Sequence, residues 1–202
     1  MKKIYLLRHC EAEKHPILKY TLDNLTDKGI QNAIYLSKYF NHQLAYILSS
    51  PHLRALKTAE IIARERRMNV LVNQNWRELS RGIYTERPYE EFLSIWSKED
   101  YNYDFVPPQG ESVNQGRKRI IYGMEDILRL EGNILCVTHA GLISNLLMML
   151  YYFTFEEGKP KVGEFCELWF DGSNFILRPE LNNFLNLDRV LISSKTKLEK
   201  FK

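Results

Sequence analysis

The stretch Ile134-Leu135-Cys136-Val137-Thr138-His139-Ala140-Gly141 decides the reading of this chain. Four apolar residues in a row, without alternation, are too few for a helix and suit a strand buried on both faces. Helical periodicity resumes just after Gly141, so strand passes into helix within a few residues. The same pattern lies upstream, where residues 4–7 and 44–48 are short apolar runs and helical stretches follow. One helix is expected from Thr26, an N-cap with Asp27 in its first turn, aligning Ile30, Ala33, Ile34 and Ser37. Ser50-Pro51 opens a second, with Leu53, Leu56, Ala59 and Ile62 as its inward face. Pro88 opens a third, striped by Tyr89, Phe92, Leu93 and Trp96. A fourth follows Ser112 and repeats Val113, Ile120, Met124, Ile127 and Leu128 until Gly132. Strands alternating with helices predict an α/β domain with a largely parallel sheet. Residues 165–170 and 175–178 flank Asp171-Gly172-Ser173, a hairpin signal that predicts an antiparallel edge.

Composition narrows the class. The chain has 202 residues, 45% of them apolar, which excludes global disorder and provides for one domain with a sizeable core. A net charge of +3 on a mixed surface is too mild for a nucleic-acid binder. No apolar run is long enough to cross a bilayer, and Arg8 ends the first one too early for a signal peptide. The three cysteines, Cys10, Cys136 and Cys166, lie far apart and fit a reducing compartment better than a disulfide scaffold. The expectation is a soluble, cytoplasmic protein with no membrane or nucleic-acid partner. The lysine-rich end, residues 193–202, carries no apolar stripe and is expected to fray.

Ligands of open α/β sheets sit outside the carboxyl ends of the strands. Past the first run come Arg8 and His9; past the second, Ser49, Ser50 and then Arg54. Past residues 70–72 and a short loop comes Glu78, and past residues 134–137 come Thr138, His139, Ala140 and Gly141. Two arginines, two histidines and a carboxylate thus converge on one rim. Two guanidinium forks suit a phosphate dianion, and two helix N-termini favour the same charge. An imidazole held by one nitrogen can attack phosphorus with the other, and a protonated carboxyl can serve the departing alkoxide. The pattern predicts phosphoryl transfer through a phosphohistidine, with no cofactor: neither a glycine-rich phosphate loop nor an acidic magnesium cluster is evident. Cys136 and His139 have the spacing of half a zinc site, but Cys136 lies inside the strand and reads as a small core residue. His42 and His52 read as ordinary loop and helix-start residues.

The motifs resemble those of the histidine phosphatase superfamily, the phosphoglycerate mutase-like group. Leu7-Arg8-His9-Cys10-Glu11 is similar to Arg-His-Gly-Glu, and Leu25-Thr26-Asp27-Lys28-Gly29 to Leu-Thr-x-x-Gly. Residues 49–59, Ser-Ser-Pro-His-Leu-Arg-Ala-Leu-Lys-Thr-Ala, resemble Ser-Ser-x-x-x-Arg-Ala-x-x-Thr-Ala. Arg77-Glu78 with Gly82, Pro108-Gln109-Gly110-Glu111-Ser112 and Val137-Thr138-His139-Ala140-Gly141 complete the set in family order. The resemblance implies a three-layer α/β/α sandwich over residues 1–192, with a lid-like segment at about 80–110. It makes His9 the nucleophile, Arg8, Arg54 and His139 the phosphate clamp, and Glu78 the acid and then the base. It also puts Arg8, His15, Arg54, Glu78, His139 and Ala140 in contact with substrate, with no metal. The chain departs from the pattern at Cys10, where glycine is usual, at His15 in place of asparagine, at Tyr84 in place of tryptophan and at Glu86 in place of glycine.

Between Arg87 and Val106 stand Glu90, Glu91, Glu99, Asp100 and Asp104 against the single Lys98. An acidic, short insertion does not suit a second phosphate, so hydrolysis of a small phosphate ester is expected. The compact length resembles the branch that includes α-ribazole phosphatase. A mutase-type phosphotransferase and a low-activity phosphate-binding module are the alternatives, in a monomer or homodimer.

Overall fold

A computed structural model describes residues 1–18, 20–40, 44–182, 185 and 189–202; His42 lies outside the described residues. In chain order the strands and helices are β1 (Lys2–Arg8), β2 (Ala12–Lys14), β3 (Thr21–Leu25), α1 (Asp27–Tyr39), β4 (Leu44–Ser49), α2 (Leu53–Arg64), β5 (Val70–Val72), α3 (Tyr89–Lys98), α4 (Val113–Arg129), β6 (Asn133–Thr138), α5 (Ala140–Tyr151), β7 (Phe165–Phe170), β8 (Asn174–Leu177), β9 (Leu191–Ser194) and α6 (Thr196–Glu199). The main sheet runs β5-β4-β6-β1-β7-β8-β9, and β2 pairs with β3 apart from it. β5, β4, β6 and β1 are mutually parallel, whereas β7, β8 and β9 are added antiparallel.

The three apolar runs are the three central neighbours of this sheet, and each contributes to two cores. Ile4, Leu6, Ile134 and Cys136 face α4 and α5, alongside Ile120, Met124, Ile127 and Leu146. Leu7, Ile47, Leu135 and Val137 face α1 and α2, alongside Ala33, Leu36, Ala59 and Ile62. Helices therefore cover both faces of a mostly parallel sheet, a three-layer α/β/α arrangement. Burying each large apolar side chain contributes roughly 1.5–3 kcal/mol, which is why uninterrupted apolar runs form its centre. Cys136 is part of the first core, as the strand reading requires.

Helix starts follow their local chemistry. The Thr26 hydroxyl accepts from the Gly29 amide at 3.0 Å, and Ser112 and Gln115 close a reciprocal capping box at α4. α2 begins at Leu53, later than the Ser50-Pro51 reading, with His52 as its N-cap. Its inward face is accordingly Ala55, Thr58, Ala59, Ile62 and Ala63, and Leu53 is exposed. The stripe on α3 does not enter either core: Phe92 and Trp96 stack with Tyr84, Tyr101 and Tyr103 in an aromatic cluster of their own.

The hairpin at Asp171-Gly172-Ser173 is present, with the Asp171 carboxylate accepting from the Ser173 and Asn174 amides. It forms the antiparallel side of the sheet, as expected, with β7 against β1 and β9 added beyond β8 as the outermost strand on that side. The lysine-rich segment 193–202, expected to fray, instead contributes to β9 and forms α6; Leu198 is buried, Lys197 Nζ donates to the Leu150 carbonyl, and Lys202 pairs with Glu125. Its elements are four residues each, too short to leave a periodic signature. Among the described residues, no helix is long and apolar enough to cross a membrane.

Candidate active site

Sheet register brings the site together. Arg8 on β1 pairs with Thr138 on β6, so His9 and His139 leave adjacent parallel strands at the same level. The His9 amide donates to the Thr138 carbonyl at 2.9 Å, and the Ser50 amide donates to the Val137 carbonyl at 2.9 Å. Strand ends β1, β4 and β6 are thereby laced to one another.

His9 is buried, and its Nδ1 lies 2.8 Å from the carbonyl oxygen of Cys10. A carbonyl only accepts, so Nδ1 carries the proton and Nε2 holds a lone pair. Arg54 Nε donates to that Nε2 at 3.3 Å, which agrees with the same tautomer. Burial first, then the Arg54 cation, pushes the imidazole down to about 3, so it is neutral at physiological pH. His139, fully buried at the N-cap of α5, has its Nδ1 3.4 Å from Arg54 Nη2 and its Nε2 2.8 Å from Ser50 Oγ. Since a guanidinium only donates, Nδ1 accepts and Nε2–H points to Ser50. Burial, reinforced by Arg54, holds this ring well below the ordinary histidine value. The two ring centroids are 5.3 Å apart.

Arg54, in the first turn of α2, bridges the two imidazoles, while its Nη1 meets Asp23 Oδ1 at 2.8 Å. Arg8 donates from Nη1 to the Pro160 carbonyl at 2.9 Å; among the described residues its buried Nε finds no hydrogen-bond partner. Glu78 accepts from the Leu79 amide at 3.0 Å, and burial raises its carboxyl above the ordinary value against the opposing pull of that amide, Arg54 and Arg8. It lies against the first turn of α5, where a Cβ on Gly141 would come within 2.6 Å of Glu78 Oε1. Only glycine leaves room for the carboxyl there.

The Glu78 loop is held from behind. Glu111 accepts from the Ser80 amide at 3.0 Å, from Arg77 Nη2 at 3.0 Å and from Arg119 Nη2 at 2.5 Å. Arg119 Nη1 in turn donates to the carbonyls of Asn75 and Arg77. Gly82, at φ +56°, backs onto the Pro108 carbonyl, where a side chain would collide. The segment around Pro108-Gln109-Gly110-Glu111-Ser112 is therefore a brace for the loop that carries Glu78.

The family model of the histidine phosphatase superfamily (branch 1) matches residues 4–168. The chain belongs to the histidine phosphatase superfamily. Within it, a Hydrogenobacter thermophilus protein provisionally named phosphoserine phosphatase 2 is 30% identical over 160 residues, which cover 74% of this chain and 79% of that one. A Yersinia pestis protein provisionally named phosphoglycerate mutase GpmB is 27% identical over 161 residues, 74% of this chain and 75% of that one. Among solved structures, Bacillus stearothermophilus YhfR shares the fold at a TM-score of 0.73 and 24% identity, covering 90% of this chain and 98% of that one.

In this member of the superfamily, Arg8, His9, Arg54, Glu78 and His139 lie around one site, and Ala140 is the first residue of α5 beside it. His15 stands apart in its bonding: its Nδ1 accepts from the amides of Ile17 and Leu18, and its ring stacks on Tyr20 at 4.9 Å. It organises its own loop. Cys10, beside His9, is a buried thiol pushed up to about 12, with its amide donating to Thr58 Oγ1. Sequence reasoning missed Asp23 and His52, and it placed Ser50 on the rim without its bond to His139. His52 is not an ordinary helix-start residue, since its ring meets that of His139 at 5.1 Å. Ser50 and His52 fall within a quoted motif and could have been found there; Asp23 reaches Arg54 from another element and left no local signal.

Proposed function

We propose that this histidine phosphatase hydrolyses a small phosphate monoester through a phosphohistidine on His9, without a metal. The observation that carries the proposal is the His9 tautomer: Nδ1–H is committed to the Cys10 carbonyl, and Nε2 presents its lone pair beside Arg54. Arg8 and Arg54 grip the phosphoryl oxygens, with the α5 N-terminus at Ala140 adding its dipole. His139 joins this clamp: when a phosphate oxygen takes the place of the Arg54 contact, its Nδ1 turns from acceptor to donor by tautomer change or protonation. Nε2 of His9 forms the N–P bond as the P–O bond to the leaving group breaks, and Glu78, whose burial favours the protonated form, gives its proton to the departing oxygen. The resulting carboxylate then takes a proton from water as water attacks phosphorus, the N–P bond breaks, and inorganic phosphate leaves with His9 restored. Segment 80–110, with Tyr89 and the aromatic cluster of α3, acts as a lid over the leaving group.

The relative named as a phosphoserine phosphatase supports hydrolysis. The relative named as a mutase favours a second reading, phosphotransfer between carbons of a phosphoglycerate, against which stands the acidic segment 87–106. Incubation with p-nitrophenyl phosphate and a panel of small esters, in the presence of chelator, tests the proposal, with His9→Ala as control. Release of phosphate by the wild type and none by the variant is expected. Turnover at the wild-type rate by His9→Ala would refute it, and exchange between 2- and 3-phosphoglycerate without net hydrolysis would establish the mutase.

A further inference from the structure

We infer that Asp23 is a positioning residue for Arg54, holding the guanidinium so that its two-pronged edge lies over the paired imidazoles; the inference rests on the phosphohydrolase reading above. Asp23 is on β3, in the small sheet it forms with β2 outside the main one. Its Oδ1 accepts from Arg54 Nη1 at 2.8 Å. A guanidinium is a rigid planar fork, so fixing one corner fixes the direction of the others. Nη1 is the corner on the side of Cδ, whereas Nε and Nη2 share the opposite edge and can bind two oxygens of one anion together. Those two nitrogens are the ones directed at His9 Nε2, 3.3 Å away, and at His139 Nδ1, 3.4 Å away. Asp23 thus occupies the one corner a bidentate phosphate does not need.

The exposures fit this division of labour. The Arg54 side chain is 12% exposed and that of Asp23 is 46%. A half-exposed ion pair adds little to stability, so its consequence lies in orientation. Among the described residues, the other hydrogen bonds of the Arg54 side chain are weak ones to imidazole nitrogens, both of which must be surrendered when a phosphoryl group arrives. At that moment Asp23 is the contact that keeps the fork from turning away. The carboxylate also places a negative charge beside a pocket whose imidazoles are neutral, and so opposes the retention of inorganic phosphate after hydrolysis.

Two substitutions separate the acceptor from the charge. Asp23→Ala removes both, and Asp23→Asn keeps an oxygen for Arg54 Nη1 while removing the charge. The readouts are kcat/KM on p-nitrophenyl phosphate, the affinity for inorganic phosphate by calorimetry, and the thermal midpoint. For Asp23→Ala, kcat/KM is expected to fall about tenfold or more, as misplacement of a clamp does, with an unchanged midpoint. For Asp23→Asn, kcat/KM is expected to recover to within about threefold of wild type, while phosphate binds about three- to tenfold more tightly. Asp23→Ala equal to wild type in kcat/KM, or Asp23→Asn as impaired as Asp23→Ala, overturns the inference. A wild-type protein that binds no inorganic phosphate overturns instead the functional reading on which it rests, so the two failures are distinguishable.

Discussion

Replacing Gly141 by alanine sets stability against activity in a way that only one account of Glu78 allows. Gly141 is the second residue of α5, where alanine is the better helix former by up to about 1 kcal/mol. A Cβ there would lie 2.6 Å from Glu78 Oε1, and an ordinary contact begins at 3.4 Å. The carboxyl must therefore retreat by about 0.8 Å, the difference of those two distances. A displacement near 1 Å at a proton-transfer group costs up to about 100-fold in rate. Gly141→Ala is expected to melt within a degree or two of wild type, or higher, while kcat on an alkyl phosphate falls 10- to 100-fold. Loss on p-nitrophenyl phosphate should be smaller, because its leaving group departs without a proton, although Glu78 must still activate water in the second step. Phosphate release by a colorimetric assay and melting by circular dichroism measure the two sides. Full activity toward alkyl esters in Gly141→Ala would refute the placement of Glu78 as the acid, whereas a loss of activity that merely follows a loss of folding would refute the tolerance of alanine in this helix.

Other consequences are as direct. His9 and His139 are both held neutral below the free-histidine value of 6.5, so the unfolded chain takes up protons first as pH falls. Stability from these groups is complete above about pH 6.5 and declines from there toward pH 3; urea midpoints from pH 7 to 4 should fall, and fall less in His9→Gln. Glu111→Ala leaves Nε and Nη2 of the buried Arg119, and the Ser80 amide, without their acceptor, which costs about 3–5 kcal/mol, or a drop in Tm on the order of 10 °C for a chain of this size, with activity lost through the Glu78 loop. Leu198→Ala, in the segment after β9, is expected to cost about 2–4 kcal/mol by denaturant unfolding, whereas a frayed tail would leave stability unchanged.

Much of this architecture is written locally. The central strands are legible because burial on both faces demands unbroken apolar runs, and His9, Arg54 and His139 are legible because they follow those runs. What escaped depends on partners distant in sequence. Asp23 acquires its meaning only when β3 is carried beside α2. Leu198 and Phe201 join the first core only because β9 extends the sheet, and four-residue elements have no period to detect. The aromatic residues of α3 have the spacing of a core helix, yet they pack on Tyr84, Tyr101 and Tyr103, because their spacing cannot say which apolar surface they meet. The Ser50-Pro51 pattern puts Leu53 inward from a helix start that the Ser50 hydroxyl, bonded to His139, does not provide.

The pairing of Arg8 with Thr138 across β1 and β6 has a consequence for how such a protein can change. The distance between the two histidines is inherited from a backbone ladder, not from the length of the chain between them. Segments inserted or exchanged among the connecting loops leave that distance alone so long as strand register holds. Segment 80–110, proposed above as a lid, can then be traded for another, altering which ester is accepted, while the histidine pair stays as it was. Diversity of substrates and constancy of chemistry become properties of separate parts of the same chain.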